Sequence, residues 1–226
     1  MGFKSYRSFQ DLLKRRYFPI RIGFPKGVEA GDITRINARV RIARDFESVV
    51  INGLGKESIL GYGAFFKVFL THSALEQFVK IIGYKDIYKI PEGILETYGA
   101  KEVFETIQKW DAKRKLFDFI HSQLDSKKLQ SNLTACYNGE CKNTAYVSAA
   151  IRHTFAHGHL SATANRINPK SMYKICSALS THLLEFMDHE FTIRIEAGLE
   201  KANREAQQGG SSRTSAKAKK KEAVSE

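Results

Sequence analysis

Residues 58–82 read SILGYGAFFKVFLTHSALEQFVKII, and the reading of this stretch decides the fold. Phe65, Phe66, Phe69, Leu70, Phe78, Val79 and Ile82 crowd it, bracketed by Gly61, Gly63 and Gly83. Apolar residues this dense over this length predict a central buried helix, with the aromatic rings as core.

Toward the N-terminus, Ile33, Ile36, Val40, Ala43, Phe46, Val50 and Leu54 recur at three and four, so a second helix is expected from an Asp32 N-cap to Gly53 or Gly55. Arg35 and Arg39, one turn apart, and Arg41 and Arg44, three apart, form two basic stripes beside its apolar one. Ser8 to Arg16 predicts a short helix stopped by Pro19, and Phe18 to Val28 either an irregular connection or a short edge strand.

Toward the C-terminus, Val103, Ile107, Trp110, Phe117, Ile120 and Leu124 repeat near a heptad and predict one long helix after Pro91 and Gly99. The polar segment Asp125 to Lys142 is expected as a long loop or a broken connection. A helix from about Asn143 to His157 follows, stopped by Gly158, with Val147, Ile151 and Phe155 as its buried edge. Asn168-Pro169 opens a last long helix. From Gln207 the composition turns to Gly-Gly-Ser-Ser and then lysine, which predicts a disordered basic tail. The expected architecture is all-α: an N-terminal helical and irregular extension over 1–55, a helical bundle over 56–202 and a tail over 203–226.

The formal net charge of +12 is uneven along the chain. Residues 1–50 carry eleven Lys/Arg against five acids and residues 201–226 seven against three, whereas the stretch between them is nearly balanced at eighteen against sixteen. Basic ends of this kind attract phosphate backbones, and Arg35, Arg39, Arg41 and Arg44 are the candidate contacts to a nucleic acid. With no apolar run near the roughly 20 residues of a membrane span and no export signal at the start, a soluble cytoplasmic protein is expected. The three cysteines, Cys136, Cys141 and Cys176, are then reduced thiols. Cys136 and Cys141 have the spacing of half a zinc site, but no second Cys/His pair with finger spacing follows, so no metal is expected.

Three of the seven histidines lie in Ile151-Arg152-His153-Thr154-Phe155-Ala156-His157-Gly158-His159. At 3.6 residues per turn His153 and His157 share a helix face, with Arg152 at the edge of the buried stripe. Arg152 and His157 are about 140° apart on an ideal helix, so joint action needs a distorted helix end or a second copy of the site. A solvated polar face is the alternative to a site.

Arg152-His153, three residues and then His157-Gly158 resembles the Arg-polar-x-x-x-His signature of HEPN domains (higher eukaryote and prokaryote nucleotide-binding). His159 leaves a spacing that also fits. The resemblance covers this motif and its place late in a helix. It implies a dimerising helical bundle and, in many members, a metal-independent endoribonuclease needing no cofactor. Its implied roles are phosphate binding for Arg152, proton transfer for His157 and positioning for His153. It further implies RNA as substrate, a homodimer, and a toxin or defence role held down by a neutralising, antitoxin-like partner. A non-catalytic module of the same fold, binding RNA or protein, is the alternative.

Overall fold

A computed structural model describes residues 2–162 and 167–222, and these are all-α, with no strand among them. The helices are α1 (Tyr6–Lys14), α2 (Ala30–Asp45), α3 (Lys56–Ile81), α4 (Glu92–Thr97), α5 (Ala100–Trp110), α6 (Lys115–Ser122), α7 (Lys127–Tyr137), α8 (Thr144–Ala156) and α9 (Pro169–Glu222). Short 3-10 turns cover Pro19–Ile22, where a connection or edge strand was expected, and Ile87–Lys89. Among the described residues no helix is long and apolar enough to cross a membrane.

The apolar stretch that opens the sequence argument forms the centre of the fold. α3 packs along α9 and is flanked by α2 and α8, while α1 and α5 lie against α9. Phe65, Leu75 and Phe78 of α3 meet Leu183, Phe186 and Phe191 of α9 in a core from which water is excluded. α9 also approaches the Pro19–Ile22 turn so closely that a Cβ at Gly198 would stand 2.5 Å from the Ile22 side chain.

The expected break near residue 55 does not coincide with a break in packing. Phe3, Phe9, Leu12, Ile33, Ile36 and Val40 are buried in the same continuous core as α3 and α9. α2 begins three residues earlier than expected because Glu29 is its N-cap: Glu29 N–H donates to the Asp32 carboxylate at 2.9 Å, half of a capping box. It ends at Asp45 rather than near Gly53. The chain turns extended at Phe46, whose carbonyl accepts from Lys67 Nζ at 3.2 Å and whose ring packs on Phe66. The following Val49-Val50-Ile51 is a β-branched run that favours extended backbone.

The expected long helix over residues 100–124 is two helices. The Asp111 carboxylate accepts from the backbone N–H groups of Leu116 and Phe117, both at 3.0 Å, and so supplies a fresh helix start five residues on. Arg114 takes a left-handed conformation at φ 54°, its guanidinium 4.3 Å from the Phe117 ring. Loss of this cap is testable: Asp111→Ala should cost about 1–2 kcal/mol in chemical denaturation. A midpoint equal to that of the parent would mean that the bonds to Leu116 and Phe117 contribute nothing.

Residues expected as a loop contain α7, started by the Ser126 hydroxyl, which accepts from Leu129 N–H at 3.3 Å. Its buried residues Leu129, Leu133 and Cys136 keep helical spacing inside a polar composition. The last helix carries on to Glu222, so the backbone of 207–222 is helical where a disordered tail was expected. Burial nevertheless stops at Ala202, and Asn203 to Gln208 are exposed.

Candidate functional site: the cleft between α3 and α8

α8 is held at both ends. Its N-cap is buried Asn143, whose side-chain oxygen accepts from Ala145 N–H at 3.0 Å and whose Nδ2 donates to the Ile87 carbonyl at 3.4 Å. The two cysteines once weighed as zinc ligands serve this entry. Cys136 Sγ donates to the Asn143 carbonyl at 3.5 Å, and Asn143 N–H donates to Cys141 Sγ at 3.3 Å. Both are buried there, and among the described residues no group of three or more His, Cys, Asp or Glu side chains is arranged to hold a metal.

At the other end Gly158 takes φ +75°, a left-handed conformation that costs glycine little and lets the N–H groups of His159 and Leu160 turn back onto the Thr154 carbonyl. Every residue of α8 from Thr144 to Ile151 is buried, so Arg152 and His153 are its first side chains to reach solvent.

They reach it in one place. Arg152 and His153 line a cleft of about 460 Å³ together with His72, Glu76 and Lys80 of α3, Tyr88 of the Ile87–Lys89 turn, and Ser126. The Arg152 side chain is 37% exposed, enough for a ligand to reach it. One guanidinium nitrogen lies 3.9 Å from Glu76, Cζ is 5.9 Å from the centre of the Phe69 ring, and Nε is buried without a hydrogen-bond partner.

The motif histidines follow one another toward solvent. His153 and His157 ring centres are 4.3 Å apart, and His159 follows 6.5 Å beyond His157. His157 and His159 are exposed and neither lines the cleft. A single chain therefore brings Arg152 and His153 together and leaves His157 at the rim, as the angular separation on a helix requires. Partial burial, and then the nearness of His157 and Arg152, hold the His153 imidazole below its ordinary pKa.

None of the four candidate arginines of α2 lines this cleft. Arg35 pairs with Asp32, and Arg39 and Arg41 are exposed. Arg44 is committed to structure, donating to the Gly2 carbonyl at 2.6 Å and lying 3.7 Å from buried Asp188. A larger cavity of about 670 Å³, lined by Arg44, Lys56, Lys67 and Tyr173 among others, shares no residue with the motif cleft and holds no histidine.

Two residues that motif reading passes over form the floor of the cleft. His72 is buried in α3, with Nδ1 2.8 Å from Ser148 Oγ of α8 and Nε2 3.6 Å from a Glu76 carboxylate oxygen, longer than a hydrogen bond. Glu76 is drawn below the usual carboxylate range by His72, against desolvation, and further by Arg152 and Lys80. The available signal was a His and a Glu four apart on one face of an otherwise apolar helix.

No protein-family model matches the chain, and no curated protein and no solved structure is found similar to it, so no relative adds to what its own residues carry.

Proposed function

We propose that the chain is a metal-independent endoribonuclease of HEPN type, acting in the cytoplasm as a homodimer. The observation that carries this reading is the convergence of Arg152 and His153 on one open cleft, with the His157 ring tilted against that of His153 at 4.3 Å.

The residues suit the chemistry. In RNA the 2′-oxygen attacks the adjacent phosphorus, forming one P–O bond as the bond to the 5′-oxygen breaks. A base takes the 2′ proton and an acid gives one to the departing oxygen. His153, its pKa lowered by partial burial, can accept that proton and His157 can deliver the other. The Arg152 guanidinium can hold two phosphate oxygens at once and stabilise the charge that builds on them. A two-fold axis at the end of α8 would bring the exposed His157 of one copy toward Arg152 of the other. A nuclease of this kind must be restrained inside its host, which suits a toxin or defence protein with a neutralising partner.

The exposed position of His157, apart from Arg152 within one chain, favours a second reading, a non-catalytic module that holds RNA or protein. Incubating purified protein with end-labelled RNA in excess EDTA separates the two. Cutting should persist and leave 2′,3′-cyclic phosphate or 3′-phosphate ends, and an RNA with a 2′-deoxy residue at the cut site should resist. Binding without cutting would favour the module, and cutting that stops in EDTA would remove the metal-independent mechanism.

A further inference from the structure

We propose that Glu76 is the positioning residue of Arg152 and is itself held by His72 and Ser148, so that a chain Ser148–His72–Glu76–Arg152 runs from the core to the cleft and fixes the guanidinium that receives phosphate. The inference rests on the ribonuclease reading of that cleft for its effect on rate, and on the geometry alone for the contacts.

Ser148 Oγ lies 2.8 Å from His72 Nδ1, and Nε2 of the same ring faces Glu76 Oε1 at 3.6 Å. A carboxylate has no proton to give, so the ring holds it only with Nε2–H turned toward Glu76, which leaves Nδ1 to accept from the Ser148 hydroxyl, itself 2.9 Å from the Ala145 carbonyl. The ring is buried, with its side chain 2% exposed, so it has no room to swing away from the carboxylate.

Glu76 thus stands between two partners, His72 on one oxygen and Arg152 at 3.9 Å on the other. A carboxylate anchored on one side restricts the long arginine side chain on the other. Only one edge of the guanidinium is engaged by Glu76, and Phe69 lies over its face, which leaves donors of the planar fork for a ligand in the cleft. The opposite role, a counter-ion that blocks Arg152, would call for a close two-bond pair, and a single contact at 3.9 Å is not one.

The test is Glu76→Gln, which keeps the size of the side chain and removes its charge from a site that is 39% exposed, so the fold should survive. The turnover rate of RNA cutting should fall about 10²-fold, the scale of a misplacement near 1 Å in a reacting group. KM should stay level or fall, because a negative charge leaves the path of a polyanion. Glu76→Asp should recover part of the rate, and Ser148→Ala should lose some of it in the same direction. Turnover equal to that of the parent, or raised as a blocking counter-ion would give, overturns the proposal.

If the parent cuts no RNA, the ribonuclease reading fails and the contacts are judged without it. NMR of the arginine side chains reports rotation about the Arg152 Cζ–Nε bond, which should be slow in the parent and faster in both Glu76→Gln and Ser148→Ala. Rotation unchanged in both variants overturns the chain on its own terms.

Discussion

Replacing His157 by alanine should slow RNA cutting by about 10²- to 10⁴-fold, the usual cost of losing a positioned acid or base. The melting temperature should not move, because His157 is exposed where α8 ends. His153→Ala should cost as much if its neutral ring takes the 2′ proton. A base with a lowered pKa keeps its lone pair to lower pH, so the acid limb of the rate profile should fall below the ordinary histidine value of about 6.5. Arg152→Lys should also be impaired, since lysine keeps the charge and loses the planar fork. The position of His157 outside the cleft gives a sharper test. Arg152→Ala and His157→Ala variants, each inactive, should regain about a quarter of parental cutting when mixed and allowed to exchange, because half of the dimers then carry one intact composite site. No recovery on mixing, with each variant folded and dimeric, would place the whole site within one chain. Full activity in His157→Ala would defeat the nuclease assignment of that residue.

Periodicity carried the parts of this fold whose burial is local and uninterrupted. The helices α3, α8 and the start of α9 could be read because their apolar residues repeat over several turns and the Gly158 stop and Pro169 start are chemical. The split at Asp111 could not, since the apolar repeat runs straight through it. The decision there lies in a carboxylate that finds two backbone N–H groups across a turn. α7 was hidden for the opposite reason: three buried residues are enough when the helix is packed against α8, and its remaining residues face water. The motif placed Arg152 and His153 on one helix end, and the structure sets them in one cleft. The residues that share this cleft with them, His72 and Glu76, sit seventy-six residues or more before Arg152 in the chain, where no spacing rule links them to it. Contacts at such separation are made by packing, and a single sequence does not display them.

The largest expected loss of stability comes from a residue that the sequence places in an extension. Phe3 is 2% exposed, stacks on Phe191 of α9 with ring centres 4.2 Å apart, and meets Phe78 of α3 at 5.7 Å. Its neighbours pin the segment: Phe3 N–H donates to Asn37 Oδ1 and Lys4 N–H to Asp188 Oδ1, each at 2.8 Å, and Asp188 is buried. Truncating a fully buried phenylalanine typically costs about 3–5 kcal/mol, through lost transfer energy and the cavity left behind. Whole domains are stable by only about 5–15 kcal/mol, so Phe3→Ala should remove a large share and lower the urea midpoint steeply. Asp188→Ala should act in the same direction, leaving Lys4 N–H and Arg44 without their buried acceptor. Deletion of residues 1–55 should then yield no cooperatively folding protein, because Phe78, Phe186 and Phe191 would lose one wall of their core. If residues 1–55 are instead a dispensable extension, Phe3→Ala will shift stability by no more than about 0.5 kcal/mol, as at an ordinary surface site, and the shortened chain will melt in one sharp transition.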